Sequence, residues 1–93
     1  MPFSFSLSDE VKATIRVLAK KDKVRADAIN KKIRQIISCD EVSIDHFKNL
    51  RNEMSDCKRV HIDKSFVLVF KVSKKEKFIL FDKFEHHDKV YKR

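Results

Sequence analysis

The sequence predicts an α+β fold with elements in the order β-α-α-β-β-β, a helical hairpin packed on one face of a small, mostly antiparallel sheet. Three observations predict it. Apolar side chains alternate at the start, with Phe3, Phe5 and Leu7 on one side and Ser4 and Ser6 on the other. They then recur at helical spacing between Val11 and Ile37. From Val60 to Phe84 they return in short runs, "FVLVF" and "FILF" among them. A side-chain period of two belongs to a half-buried strand, and one near 3.6 to an amphipathic helix.

The first strand therefore covers the residues around Phe3 to Leu7. Ser8 follows as a helix N-cap, with Asp9 and Glu10 in the first turn, where the helix dipole favours acids. Val11, Ile15 and Leu18 form the buried stripe of that helix. "KKDK" (Lys20–Lys23) interrupts it with charge, and Asp22 can cap a second helix running to about Ser38, with Ile29, Ile33, Ile36 and Ile37 as its stripe. So short a break predicts a helical hairpin. Beyond a polar stretch, Val60 and Ile62 alternate with Arg59, His61 and Asp63, a strand pattern. "SFVLVFKV" (Ser65–Val72) is apolar on both faces and reads as the central strand, while "KFILFDKF" (Lys77–Phe84) is the next. The chain has no glycine, so left-handed backbone positions fall to Asn or Asp: Asn49 and Asn52 in the loop, Asp63 at the turn between strands.

Ninety-three residues make one domain, 1–93, and 42% hydrophobic content with eight phenylalanines is enough for a modest core. The apolar runs are too short to span a bilayer, and "MPFSFSLSDE" lacks the basic start of a signal peptide, so no membrane role is expected. Two cysteines, Cys39 and Cys57, suggest no disulfide framework, and the cytoplasm is the expected compartment. The net charge of +8 favours a polyanionic partner. Residues 46–93 hold thirteen basic and seven acidic side chains, against nine and seven before them, and all four histidines. The second half is where a polyanion would bind.

Alternation sends Arg59, His61 and Asp63 to the sheet face opposite the helices. A cation and an imidazole two residues apart on a strand aim into the same space, either as a solvated face or as part of a site. His86 and His87 emerge near the C-terminus with their rings pointing oppositely, so one of the two faces a groove. Tyr91 beyond them can stack on a base, unless the segment is a simple tail. His46 lies in a loop with Lys48 and Arg51, both suited to phosphates. There is no C-x-x-C, H-x-x-x-H or H-E-x-x-H spacing and no glycine-rich phosphate loop, so no metal and no small-molecule cofactor is expected. The assembled types suit RNA backbone cleavage. Histidine can act as base on a 2′-hydroxyl or acid at a 5′-oxygen near neutrality, and arginine supplies charge where the phosphorane becomes negative.

The order of elements, together with "FKNLRNEMSDCKRVHIDKSFVLVFKVSKKEKFILFDKFEHHDKVYKR" (Phe47–Arg93), resembles the RelE/ParE toxin superfamily of type II toxin–antitoxin systems. Within it, "DCKRVHIDKSFVLVFKV" (Asp56–Val72), the "DH" of Asp45–His46 and "HDKVY" (His87–Tyr91) are similar to the YafQ-like mRNA interferase branch. The resemblance implies metal-free, ribosome-dependent mRNA cleavage leaving a 2′,3′-cyclic phosphate, and neutralisation by a cognate antitoxin. It implies His61 and His87 as the acid–base pair, Arg59 on the phosphorane and His46 positioning substrate or sharing proton transfer. Lys48, Arg51 and Lys58 would hold RNA phosphates and Tyr91 a base. Asp63 and His86 are supporting candidates: the branch's aspartate falls on Ser65 here, leaving Asp63 to replace it, and His86 matches other members, although spacing favours His87. ParE-like members share the fold but block DNA gyrase, so a non-catalytic inhibitor or an inactive toxin-fold binder is the alternative.

Overall fold

A computed structural model describes residues 3–48 and 57–88. Strand β1 (Ser4–Leu7) leads into helices α1 (Asp9–Lys21) and α2 (Lys23–Ile37) and a short 3-10 turn at Ser43–His46. Strands β2 (Cys57–Ile62), β3 (Phe66–Ser73) and β4 (Phe78–His86) follow. The sheet order is β1-β4-β3-β2, with β1 parallel to β4 and the other two pairings antiparallel. This is the expected α+β architecture, two helices on a mostly antiparallel sheet.

The two helices are separated by a single residue. Asp22 donates its backbone N–H to the Leu18 carbonyl, closing α1, while its carboxylate accepts from the Arg25 N–H at 3.1 Å, opening α2. One short acid thus serves as C-cap and N-cap at once. At the other end of α1, the Ser8 hydroxyl oxygen accepts from the Val11 N–H at 3.1 Å and its O–H donates to the Asp82 carbonyl at 2.7 Å. The cap therefore also anchors the helix to β4.

The main core lies between the helices and one sheet face. Ile29, Ile33 and Ile36 of α2 meet Ile62, Leu68, Phe70, Ile79, Phe81 and Phe84 of the sheet. Phe47 closes this layer edge-on against Phe70, with ring centroids 5.6 Å apart. Val11 of α1 is fully buried, and Ile15 and Leu18 are half-buried, as the helical stripe required. Phe5 stays 45% exposed because β1 is an edge strand and is only partly covered. On the opposite face a second, smaller cluster of Cys57, Val67 and Val69 is also buried. The central strand is apolar on both faces for that reason.

Asp63 takes the left-handed backbone expected of it, with φ 58°. Lys77 takes another at φ 52°, a position the sequence did not mark. Its N–H donates to the Lys74 carbonyl and its own carbonyl accepts from Ser4, so bonds on both sides hold a conformation that a lysine adopts at some cost. Asn49 and Asn52 lie outside the described residues. No helix among the described residues is long and apolar enough to cross a membrane.

Candidate active site

The face of the sheet away from the helices is built in cross-strand rows. Arg59 on β2 stands opposite Val69 on β3, which stands opposite Lys83 on β4. The next row is His61, Val67 and Glu85. Polar groups from the outer strands thus flank a floor of buried valines.

A β-bulge decides which β4 side chains share that face. Phe70 pairs with Phe81, but Val69 pairs with Lys83, leaving Asp82 without a facing residue. Up to the bulge the odd residues Ile79 and Phe81 point into the helical core, and beyond it the even residue Phe84 does. One extra residue exchanges the faces of everything after it. Lys83 and Glu85 turn to the open face, and the histidines are sorted with them. His86 falls on the helical side, where its ring meets Phe66 edge-on at 5.5 Å in an open groove that Leu18, Arg25 and Phe84 also line. His87 falls on the other side. The bulge is pinned from outside the sheet, since Ser8 bonds to the carbonyls of both Phe81 and Asp82.

The His87 backbone N–H donates to the Ser65 carbonyl at 2.6 Å, extending the β3–β4 ladder one step past β4. Its ring lies 5.6 Å from that of His61, centroid to centroid, at a 32° tilt. Two imidazoles distant in the chain thus meet on one face, with Arg59 on the same side of β2. His61 is exposed and His87 half-buried, so both are within reach of a ligand.

The other predicted residues divide. The Arg59 N–H donates to the Lys48 carbonyl at 2.9 Å, so the segment carrying His46 and Lys48 runs beside the outer edge of β2. Both side chains are exposed, though among the described residues no ring contact joins His46 to the His61–His87 pair. Lys58 points the other way from Arg59 along the strand. Its ammonium donates to the Phe47 carbonyl at 3.2 Å and lies 3.7 Å from Asp45, with only 12% of its side chain exposed. It ties the 3-10 turn to β2 instead of facing the open sheet. Alternation would place Asp63 with Arg59 and His61, but the strand ends at Ile62 and the left-handed turn swings the aspartate away. Its carboxylate accepts from Arg25 of α2 at 3.1 Å, and that guanidinium also stacks over Phe66 at 4.4 Å. Asp63 is therefore a sheet–helix tie. Arg51 and Tyr91 lie outside the described residues.

Two carboxyls in the connection before β2 ionise more readily than usual. The ammonium of Lys74, hydrogen-bonded at 2.5 Å, holds the Asp45 carboxyl below its usual range, and Lys58 adds to the effect. The backbone N–H of Ser43, the Ser43 hydroxyl and the Val42 N–H do the same for Asp40. These are ties within the connection to β2, not reactive groups.

Sequence reading missed Lys83 and Glu85 as members of the face. A signal existed: apolar residues at Ile79, Phe81 and Phe84 break the period of two between the last pair.

No family model matches the chain. Over 79 residues it is 47% identical to a Methanocaldococcus jannaschii protein named "Putative toxin RelE4", an alignment spanning 85% of this chain and 80% of that one. It is 34% identical over 89 residues to an uncharacterized protein of Methanosarcina mazei, covering 96% of this chain and 99% of the other. Among solved structures, the toxin–antitoxin complex RelBE2 from Mycobacterium tuberculosis superposes with a TM-score of 0.73 at 10% identity, covering 94% of this chain and 100% of that one. YafQ from E. coli superposes with a TM-score of 0.64 at 10% identity, covering 96% and 98%. At such identities the two structures establish the shared fold.

Proposed function

The chain belongs to the RelE/YafQ-like superfamily of toxins, and on that premise we propose that it is an endoribonuclease that cleaves ribosome-bound mRNA. The observation that carries this reading is the meeting of His61 and His87, ring centroids 5.6 Å apart, on the face that also holds Arg59. One imidazole takes the proton of a ribose 2′-hydroxyl as its oxygen attacks phosphorus. The other gives a proton to the 5′-oxygen as the P–O5′ bond breaks. The products are a 2′,3′-cyclic phosphate and a 5′-hydroxyl end. Arg59 offsets the charge that gathers on the phosphorane, the point at which fixed positive charge helps most.

Around that centre, Lys48 and Lys83 supply phosphate contacts at the two margins of the face, and Arg51 is assigned the same role from the sequence pattern. His46 positions the substrate from the segment beside β2, and Tyr91 is assigned to base stacking. Lys58 and Asp63 are left as structural ties. The partner is an antitoxin, in keeping with the RelBE2 complex among the fold's neighbours. With a net charge of +8 on the toxin, an acidic segment laid over the basic face would neutralise it. Such a pair acts in the cytoplasm, where its ribosomal target is.

The test is single-turnover cleavage of mRNA on programmed ribosomes, read as new 5′-hydroxyl ends. His61→Ala and His87→Ala should each lower the rate by about 10²–10⁴-fold, the usual contribution of a positioned acid or base. Wild-type rates in both variants would remove the pair from the mechanism. Inhibition of gyrase supercoiling without RNA cleavage would move the chain to the inhibitory branch of the superfamily.

A further inference from the structure

We propose that Asp88 is a positioning residue that fixes the adjacent His86 and His87 in opposite tautomers, turning the Nε2 atom of His87 to the reacting phosphate. The assignment of a catalytic purpose rests on the nuclease reading above; the tautomers themselves do not.

The geometry of the "HHD" sequence (His86–Asp88) carries the inference. The Asp88 backbone N–H donates to Nδ1 of His86 at 3.2 Å. A ring nitrogen that accepts a hydrogen bond carries no proton, so neutral His86 holds its proton on Nε2. The same Nδ1 lies 3.8 Å from one carboxylate oxygen of Asp88, but without a proton it has nothing to donate there. The other carboxylate oxygen lies 3.5 Å from Nδ1 of His87, at the long end of hydrogen-bonding distance. An ionised carboxylate only accepts, so this contact places the His87 proton on Nδ1 and makes Nε2 the basic nitrogen of the ring. The two neighbours differ because one is read by the backbone of Asp88 and the other by its side chain.

The arrangement is held from both sides of the sheet. On the helical side the His86 ring is wedged edge-on against Phe66, itself stacked on Phe84 at 5.2 Å. On the open side the His87 backbone is fixed by Ser65 and its ring lies against His61. Asp88 sits between the two, and among the described residues Arg59, Lys71, Lys83 and Glu85 are the other charged groups that the strand register puts on that open face. A carboxylate behind an imidazole, on the ring nitrogen away from the reaction, orients the ring and supports the imidazolium that proton transfer creates. Asp88 is itself exposed, so its influence is smaller than that of a buried partner.

The experiment records long-range ¹H–¹⁵N spectra of the histidine side chains in the full chain at a pH where the rings are neutral, with His87 assigned by its loss in His87→Ala. Wild type should show His87 as the Nδ1–H tautomer and His86 as Nε2–H. Asp88→Ala should convert His87 to Nε2–H, whereas Asp88→Asn, which keeps an acceptor oxygen, should not. In the cleavage assay run at multiple turnover, Asp88→Ala should lower kcat on the order of ten-fold with KM unchanged, and Asp88→Asn should recover most of the rate. An unchanged urea midpoint in Asp88→Ala would confirm that folding is intact. An Nε2–H tautomer of His87 in wild type, or no change in Asp88→Ala, overturns the proposal. So does a converted tautomer with wild-type kcat. If the tautomers behave as stated but wild type cleaves no RNA, the nuclease reading fails and the positioning by Asp88 stands.

Discussion

Asp63 and Lys83 show how little a residue's type says about its role until its neighbours are known. Both are charged residues of the basic half, and Asp63 stands two places from a histidine of the site. Its carboxylate nevertheless belongs to Arg25 of α2, and the φ of 58° that carries it there is one that Asp or Asn tolerates. Asp63→Asn keeps that tolerance and removes the charge. It should leave the cleavage rate within about two-fold of wild type and cost under about 1 kcal/mol in urea unfolding, as for a partly exposed ion pair. A large rate loss would return Asp63 to the site. Lys83 lies across Val69 from Arg59 and belongs to the face. Lys83→Ala should weaken RNA binding for all sequences alike and lower the salt slope by about 0.7, the value for one contact to a single strand. Affinity measured across a salt series reads it directly.

At the scale of elements, the feature on which the site depends is the junction of α1 with β4. Ser8 caps the helix and bonds the two carbonyls that bracket the bulge, so one residue couples the start of α1 to the face on which His87 emerges. Ser8→Ala removes a helix cap and a cross-element hydrogen bond, leaving the Asp82 carbonyl unpaired by that hydroxyl. Destabilisation of about 1–2 kcal/mol is expected from denaturant unfolding. The cleavage rate should fall as well, because a looser bulge loosens the register that separates His86 from His87. The edge of β2 is held similarly, through Lys58 and the Lys74–Asp45 pair, which fix the 3-10 turn preceding Lys48.

For the molecule as a whole, basic charge and acid sensitivity follow from the same distribution of side chains. Asp40 and Asp45 both ionise below the ordinary carboxylate value of 3.8 in the folded chain. They therefore release protons more readily folded than unfolded, and the stability they lend is complete above that value. It fades as pH falls through their lower folded values. Both groups are exposed, so the effect is small; Asp45→Asn should flatten the acid limb of stability below about pH 4, seen as a urea midpoint that changes less with pH than in wild type. Protonation of Asp45 also weakens its contacts with Lys74 and Lys58, while the Lys58 bond to the Phe47 carbonyl remains.

The sequence by itself determined the order of elements, the buried stripes of both helices, the double-sided burial of the central strand and the face on which Arg59 and His61 stand. These follow from local periodicity, which a single chain displays openly. It left the choice between His86 and His87 to spacing, and it gave no partner for Asp63. Those were decided by tertiary structure. A side chain's face on a strand depends on every residue counted from the core, and one unpaired residue at Asp82 reverses that count. Whether such a residue is accommodated depends on the bonds that neighbouring elements offer it, here from Ser8, seventy-four positions earlier in the chain. The meeting of His61 and His87 is a product of that long-range bond pattern, which no window of local sequence contains.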